Sequence, residues 1–271
     1  MSSHVVITSE SKLSDGLDDL KAGLVGYEQW VHFAWHEIRQ RFKRSILGPF
    51  WITLSMGILV ITLGMVFGGV LNQGSEVLIP YLATGLIFWG LFTSVINDGT
   101  NVFISAASYI RDVPLPTSSH FYQMITRNLI IFAHNMAIYV VVYIFYIHTA
   151  SASFLWFIPG FVIFLANIAW IGLVIGILST RFRDIPQVIT NAIQVLFFAT
   201  PVVWSTASMP TRPAFVSLNP LYHLLEVVRA PLLGHEVGLS SWAIATTMAV
   251  IGWAVAIWLY GRSKSRIPYW I

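Results

Sequence analysis

The stretch Arg39-Gln40-Arg41-Phe42-Lys43-Arg44-Ser45-Ile46-Leu47-Gly48-Pro49-Phe50-Trp51 decides how the chain is read. Four cations fall between residues 39 and 44, a Gly-Pro break follows, and residues 50–72 then carry no charge. A basic cluster beside an uncharged apolar run of about twenty residues marks the cytoplasmic edge of a membrane helix. Upstream, Tyr27, Val31, Ala34, Ile38, Phe42 and Ile46 recur at steps of three or four. Glu28, His32, His36, Arg39 and Lys43 take the opposite side. That spacing predicts an amphipathic helix over residues 27–47, lying in the membrane interface before the chain enters the bilayer.

Composition agrees. Of the 271 residues, 56% are hydrophobic and 10% are charged, against roughly 25% charged in a soluble domain. The chain is therefore a polytopic membrane protein. Its net charge of +3 sits at the edges of apolar runs, where membrane orientation explains it and no nucleic-acid partner is implied. Cysteine is absent, which excludes disulfides and thiolate metal sites. Residues 1–26 are polar, include Asp15, Asp18 and Asp19, and lack the apolar core of a signal peptide. They read as a cytoplasmic lead-in.

Six spans are expected, near residues 50–71, 80–101, 124–147, 154–178, 188–203 and 242–260, in a transmembrane domain covering 48–271. With the N-terminus inside, thirteen basic residues fall in cytoplasmic segments, and only Arg212 and Arg229 fall outside. So strong a positive-inside bias supports the count and the orientation together, with both termini cytoplasmic. The outer segment 205–241 is broken by prolines yet too apolar for an open loop. After Asn219 and Pro220 a short helix is expected, with Glu226 and Arg229 one turn apart and able to pair. A short apolar helix beside a membrane is commonly re-entrant and lines a path.

No Gly-x-x-x-x-Gly-Lys-Ser/Thr frame surrounds Lys12, Lys21, Lys43 or Lys264, so an ATP-driven role would need a separate subunit. Two cytoplasmic segments stand out. Within 105–123, Arg111 and Asp112 precede Pro114 and Pro116, which reads either as a plain loop or as a docking element for a partner. Arg181, Arg183 and Asp184 form either a topology anchor or an anion-binding entrance. Asn97, Asp98, Asn128, His134, Asn135, Asn191 and Gln194 fall inside the spans, where helix packing accounts for most such residues. The pairs Gly64/Gly68 and Gly172/Gly176 suit close helix contact. Aromatic clusters at Phe88, Trp89 and Phe92, and at Phe197, Phe198 and Trp204, suit packing or a sugar-stacking surface.

The ordered set Arg41-Phe-Lys-Arg-Ser-Ile-Leu-Gly-Pro-Phe-Trp51, Ile110-Arg-Asp-Val-Pro-Leu-Pro116, Arg181-Phe-Arg-Asp-Ile185, Thr200-Pro201, Asn219-Pro-Leu221 and Leu232-Leu-Gly234 resembles the membrane subunits of ABC exporters. The similar branch exports bacterial polysaccharides such as O-antigen, capsule or wall polymer. The resemblance implies a homodimeric permease in the inner membrane, not itself an enzyme, with two ATPase subunits holding ATP and Mg and no cofactor or metal in this chain. It makes Ile110, Arg111, Asp112, Val113, Pro114 and Pro116 the ATPase contact, and 27–47 the interface helix. Asn219, Pro220, Glu226 and Arg229 become part of an outer gate. Its implied cargo is a polyprenyl-pyrophosphate glycan, with Arg181, Arg183, Arg41 and Arg44 as pyrophosphate candidates and the two aromatic clusters as sugar candidates. A drug or simple-lipid exporter, a secondary carrier and a membrane-embedded transferase are the alternatives. A carrier would want mid-membrane acids and inverted repeats, and neither is evident.

Overall fold

The computed structural model describes residues 9–71, 74–147, 151–204 and 214–271. Among these every regular element is helical. Helix α1 covers Ser9–Val25 and α2 Tyr27–Phe42. Gly48, at a φ of 56° that favours glycine, turns the chain into α3, Phe50–Leu71. There follow α4 (Ser75–Ser105), a six-residue α5 (Ala107–Asp112) and α6 (Ser118–Tyr146). A 3-10 turn at Ala152–Trp156 leads to α7 (Phe157–Arg181), and α8 is Ile185–Ala199. The remainder comprises α9 (Ala214–Ser217), α10 (Pro220–Leu232), α11 (Leu239–Ser263) and α12 (Ile267–Trp270).

Five helical stretches among the described residues are long and apolar enough to cross a bilayer: Phe50–Gly69, Ser75–Ser105, Ser118–Tyr146, Ala152–Arg181 and Leu239–Trp270. Several are longer than the apolar run alone suggests. Helix α4 begins five residues before Pro80, because a proline so near a helix start removes only one backbone bond there. The expected span at 188–203 is instead the 15-residue α8, about 22 Å of helix against a hydrocarbon core of about 30 Å. It stops because Thr200 precedes Pro201 and adopts an extended conformation, φ −107° and ψ 134°, as residues before proline do.

Helix α4 is the hub, packed against α3, α6, α7, α8 and α10. Its seam with α7 is made by glycines. A Cβ on Gly99 would lie 2.9 Å from the Gly172 carbonyl oxygen, and one on Gly176 would lie 2.9 Å from that of Gly99. The Gly172/Gly176 pair thus marks a backbone-to-backbone approach. By contrast α3, among the described residues, packs mainly on α4 and α6 and leaves Phe50, Leu54, Ile58, Ile61 and Met65 exposed.

The polar lead-in is where the fold departs most from its sequence pattern. Helix α1 lies against α11 and α6, using a face of Gly16, Asp19, Leu20 and Gly23. Any side chain at Gly16 would strike the Gly261 backbone. Asp19 then serves a neighbour. The start of α6 has no side-chain cap of its own, and its leading donors would be orphaned. Asp19 accepts from the Ser118 N–H at 3.0 Å and the Thr117 N–H at 3.2 Å. The Tyr260 hydroxyl donates to the same carboxylate at 2.5 Å, and Lys264 Nζ lies 3.3 Å away. Burial pushes the Asp19 carboxyl up, but Tyr260, the Ser118 amide and Lys264 together outweigh it and hold it below the ordinary carboxylate value. A depressed carboxylate stabilises above its unfolded pKa of about 4 and loses that contribution as pH falls through the lower folded value. Asp19→Asn faces a donor with a donor and is expected to cost about 2 kcal/mol at pH 7. Thermal unfolding in detergent checks this, and the gap between variant and parent should close below about pH 4.

Candidate functional site

Three constellations gather at the two ends of the bundle. At one end, the 200–204 turn and α10 fold into the helices and plug them. Pro220 opens α10, and Asn219 caps it, its Oδ1 accepting from the Leu221 N–H at 2.9 Å. The Asn219 amide also donates to Thr200 Oγ1 at 2.9 Å, which fixes α10 to the end of α8. His223 bridges Ser241 Oγ and the Ser217 carbonyl, each at 2.9 Å. The Tyr139 hydroxyl donates to the Leu232 carbonyl at 2.7 Å. Arg229, only 3% exposed, is the keystone. It donates to the Pro201 carbonyl at 2.6 Å and pairs with Glu226 at 3.2 Å, and its guanidinium lies 4.2 Å from the centre of the Tyr81 ring. The Tyr81 hydroxyl donates to the carbonyls of Pro201 and Trp204, 2.9 Å each. The pairing of Glu226 with Arg229, expected from their spacing, is present. Arg212 lies outside the described residues.

At the opposite end, a cleft of about 700 Å³ opens between α2, α4, α5 and α6. Arg127 of α6 bridges two carboxylates there, Glu37 of α2 and Asp98 of α4, the latter at 2.8 Å. Asn128 donates to Asp98 at 2.8 Å, and Gln123 to Glu37 at 3.3 Å. This latch ties α2 to the spans. Ala34 and Ile38 are the α2 residues it helps bury, while Tyr27, Val31, Phe33 and Trp35 stay exposed. Sequence periodicity did not isolate Glu37, because a single carboxylate on a polar face carries no pattern. His134 bonds the carbonyl one turn back, at 2.8 Å, a packing role.

Beside the cleft, Ile110, Arg111 and Asp112 end α5, and Val113, Pro114 and Pro116 form the extended link that follows. Arg181 and Arg183 are exposed at the α7–α8 link. Each touches residues 270–271, described below. Arg41 and Arg44 are exposed at the end of α2 and beyond it. Of the aromatic residues, Phe88 is fully buried among Phe132, Phe157, Phe161 and Phe164. Trp89 and Phe92 are buried too. These three sit on the hub helix and pack the core, so they present no open face to a passing molecule. Phe198 is exposed, and Phe197 and Trp204 are half-buried.

A family model described as "ABC-2 type transporter" covers residues 28–233. The chain belongs to the ABC-2 type transporter family. That membership makes it a multi-pass membrane component of a transporter and implies an ABC ATPase partner. Among curated relatives, the O-antigen export system permease protein RfbA of Klebsiella pneumoniae is 23% identical over 235 residues, covering 85% of this chain and 90% of that protein. RfbA of Myxococcus xanthus is 21% identical over 225 residues, covering 81% and 86%. A second Klebsiella pneumoniae RfbA is 24% identical over 198 residues, covering 70% and 74%. The ABC-2 family assignment and these relatives place the chain with ABC exporter permeases of the O-antigen branch.

Proposed function

We propose that two copies of this ABC-2 permease enclose a conduit that moves a polyprenyl-pyrophosphate-linked polysaccharide outward across the inner membrane. Two separate ATPase subunits, which hold ATP and Mg, drive it. One observation carries the conduit. Gln187, Thr190, Asn191 and Gln194 form a polar stripe along α8, at helical spacing, and all four are exposed on the single chain. Within the stripe Gln187 donates to Asn191 at 3.2 Å. Facing lipid, the amide groups beyond that one bond would lack partners at a cost of several kcal/mol per group. Facing a water-filled path closed by a second copy, they are at home. The exposed apolar flank of α3 gives that second copy a surface to pack on.

In this reading α8 and the extended residues after it make the fifth of six crossings, α2 is the interface helix, and both termini are cytoplasmic, as the distribution of basic residues supports. The plug of α9 and α10 gates the exit. Phe197, Phe198 and Trp204 offer sugar-stacking faces. Arg181 and Arg183, with Arg41 and Arg44, offer guanidinium forks for the pyrophosphate. The likeness to O-antigen export permeases supports a glycan as the cargo.

The test is co-purification with the ATPase subunit from native membranes, followed by mass spectrometry of retained lipid. A polyprenyl-pyrophosphate glycan is expected, and its retention should fall at least roughly a hundredfold when Arg181 and Arg183 are both changed to Gln, since each charged hydrogen bond is worth ~1.5–3 kcal/mol. A retained drug-like molecule or simple phospholipid would overturn the cargo. Unchanged retention in the double variant would remove the pyrophosphate role.

A further inference from the structure

Residues 264–271 fold back across the end of the bundle that holds the basic clusters. A 3-10 turn at Lys264–Arg266 leads into α12, anchored by the fully buried Ile267. Two separate links are tied to it. Arg111, at the end of α5, donates to the main-chain carbonyl oxygen of Ile271. Arg183, from the link between α7 and α8, donates to that of Trp270 at 3.0 Å, and the Arg181 guanidinium lies 5.6 Å from the centre of the Trp270 ring. The segment is a strap that makes the α5 link and the α7–α8 link one body.

That body carries exposed apolar groups. Tyr269 is 87% exposed, and Tyr109, Val113 and Phe182 stand exposed on the elements it joins. Arg111, Arg181, Arg183 and Arg266, with the carboxylates Asp112 and Asp184, lie on the same elements. Aromatic side chains and arginines inside a charged rim are the composition of a protein-interface hot spot. We infer that α12 is a further docking element for the ATPase subunit, with Tyr269 seated in an apolar hollow of an acidic partner face. The inference rests on the reading of α5 as an ATPase contact. It adds that a push on either link reaches both α4–α6 and α7–α8 through the strap.

Because the chain has no cysteine, single substitutions give unique attachment points. Tyr109→Cys, Tyr269→Cys and, at the far end of α11, Leu239→Cys are each co-expressed with the ATPase subunit. Membranes are then treated with a maleimide–benzophenone cross-linker. Adducts with the ATPase are expected from positions 109 and 269 and not from 239. An adduct from 109 alone overturns the inference while leaving α5 as a contact. Absence of adducts from both 109 and 269 overturns the docking reading itself. A lipid adduct at 269 overturns the inference in favour of membrane anchoring. As a second measurement, Tyr269→Ala should lower ATPase retention on the tagged permease roughly tenfold with the unfolding temperature of the permease unchanged. Undiminished retention also overturns it.

Discussion

Arg229→Ala is expected to destabilise the permease by about 3–5 kcal/mol, the range for removing one partner of a buried ion pair. The change strands three groups at once. The Pro201 carbonyl loses its charged donor, Glu226 loses its counter-ion, and the Tyr81 ring loses the cation held 4.2 Å from its centre. Tyr81→Phe is the matched control. It removes the one hydroxyl proton shared between the carbonyls of Pro201 and Trp204 and should cost about 1 kcal/mol. Fluorescence-detected unfolding in detergent separates the two variants. If Arg229→Ala unfolds at the temperature of the parent, the guanidinium does not hold the plug, and the gate assigned to α10 loses its keystone. Arg229→Lys should resemble alanine more than the parent, because an ammonium lacks the planar fork that reaches the carbonyl and the carboxylate together.

One part of that keystone, the Glu226–Arg229 pair, was readable before any coordinates. Asn219-Pro220 announces a helix start, and Glu226 and Arg229 fall one turn apart in an otherwise apolar stretch. Local rules suffice because each of those partners is close in sequence. Distance in sequence explains what was not readable. Asp19 and Tyr260 are 241 residues apart, and the face that brings α1 to them is made of glycines and an aspartate. Hydrophobic periodicity is blind to such a face. The Arg127 latch fails to show for the same reason, since Glu37 and Asp98 approach it from two other helices. Phe88 illustrates the converse. Its cluster suited packing or a surface for sugars, and only the enclosure of α4 on so many sides shows that its aromatics fill the core. Composition reports that a helix is apolar all round, not which apolar neighbours enclose it. The short α8 was also legible only in part. Thr200-Pro201 predicts where the helix ends, whereas its exposed polar stripe becomes meaningful only once the neighbouring helices are in place.

Changing Arg111 and Asp112 together to Ala is expected to leave ATP hydrolysis by the assembled complex running while lowering export roughly ten- to a hundredfold. That is the span of a coupling free energy of ~1–3 kcal/mol. Neither residue is buried, so the bundle should fold and insert normally. Arg111 is nonetheless one of the two arginines that hold the strap to the links, and Asp112 is the last residue of α5. A stroke of the ATPase that reaches α5 needs a rigid path onward to α4 and α6. With Arg111 gone, α5 moves without carrying α12, and the stroke dissipates in the link. The measurement pairs phosphate release with appearance of glycan on the outer face of the membrane, at matched permease abundance. Undiminished export would reject α5 as the site of force transfer. Equal loss of both activities would instead mean that the pair is needed to assemble the complex. Adding Trp270→Ala, which removes the ring beside Arg181, then decides between these mechanisms. If the strap transmits the stroke, Trp270→Ala alone reproduces part of the export defect with hydrolysis intact, and adding it to the double variant deepens the defect little, because the path is already broken.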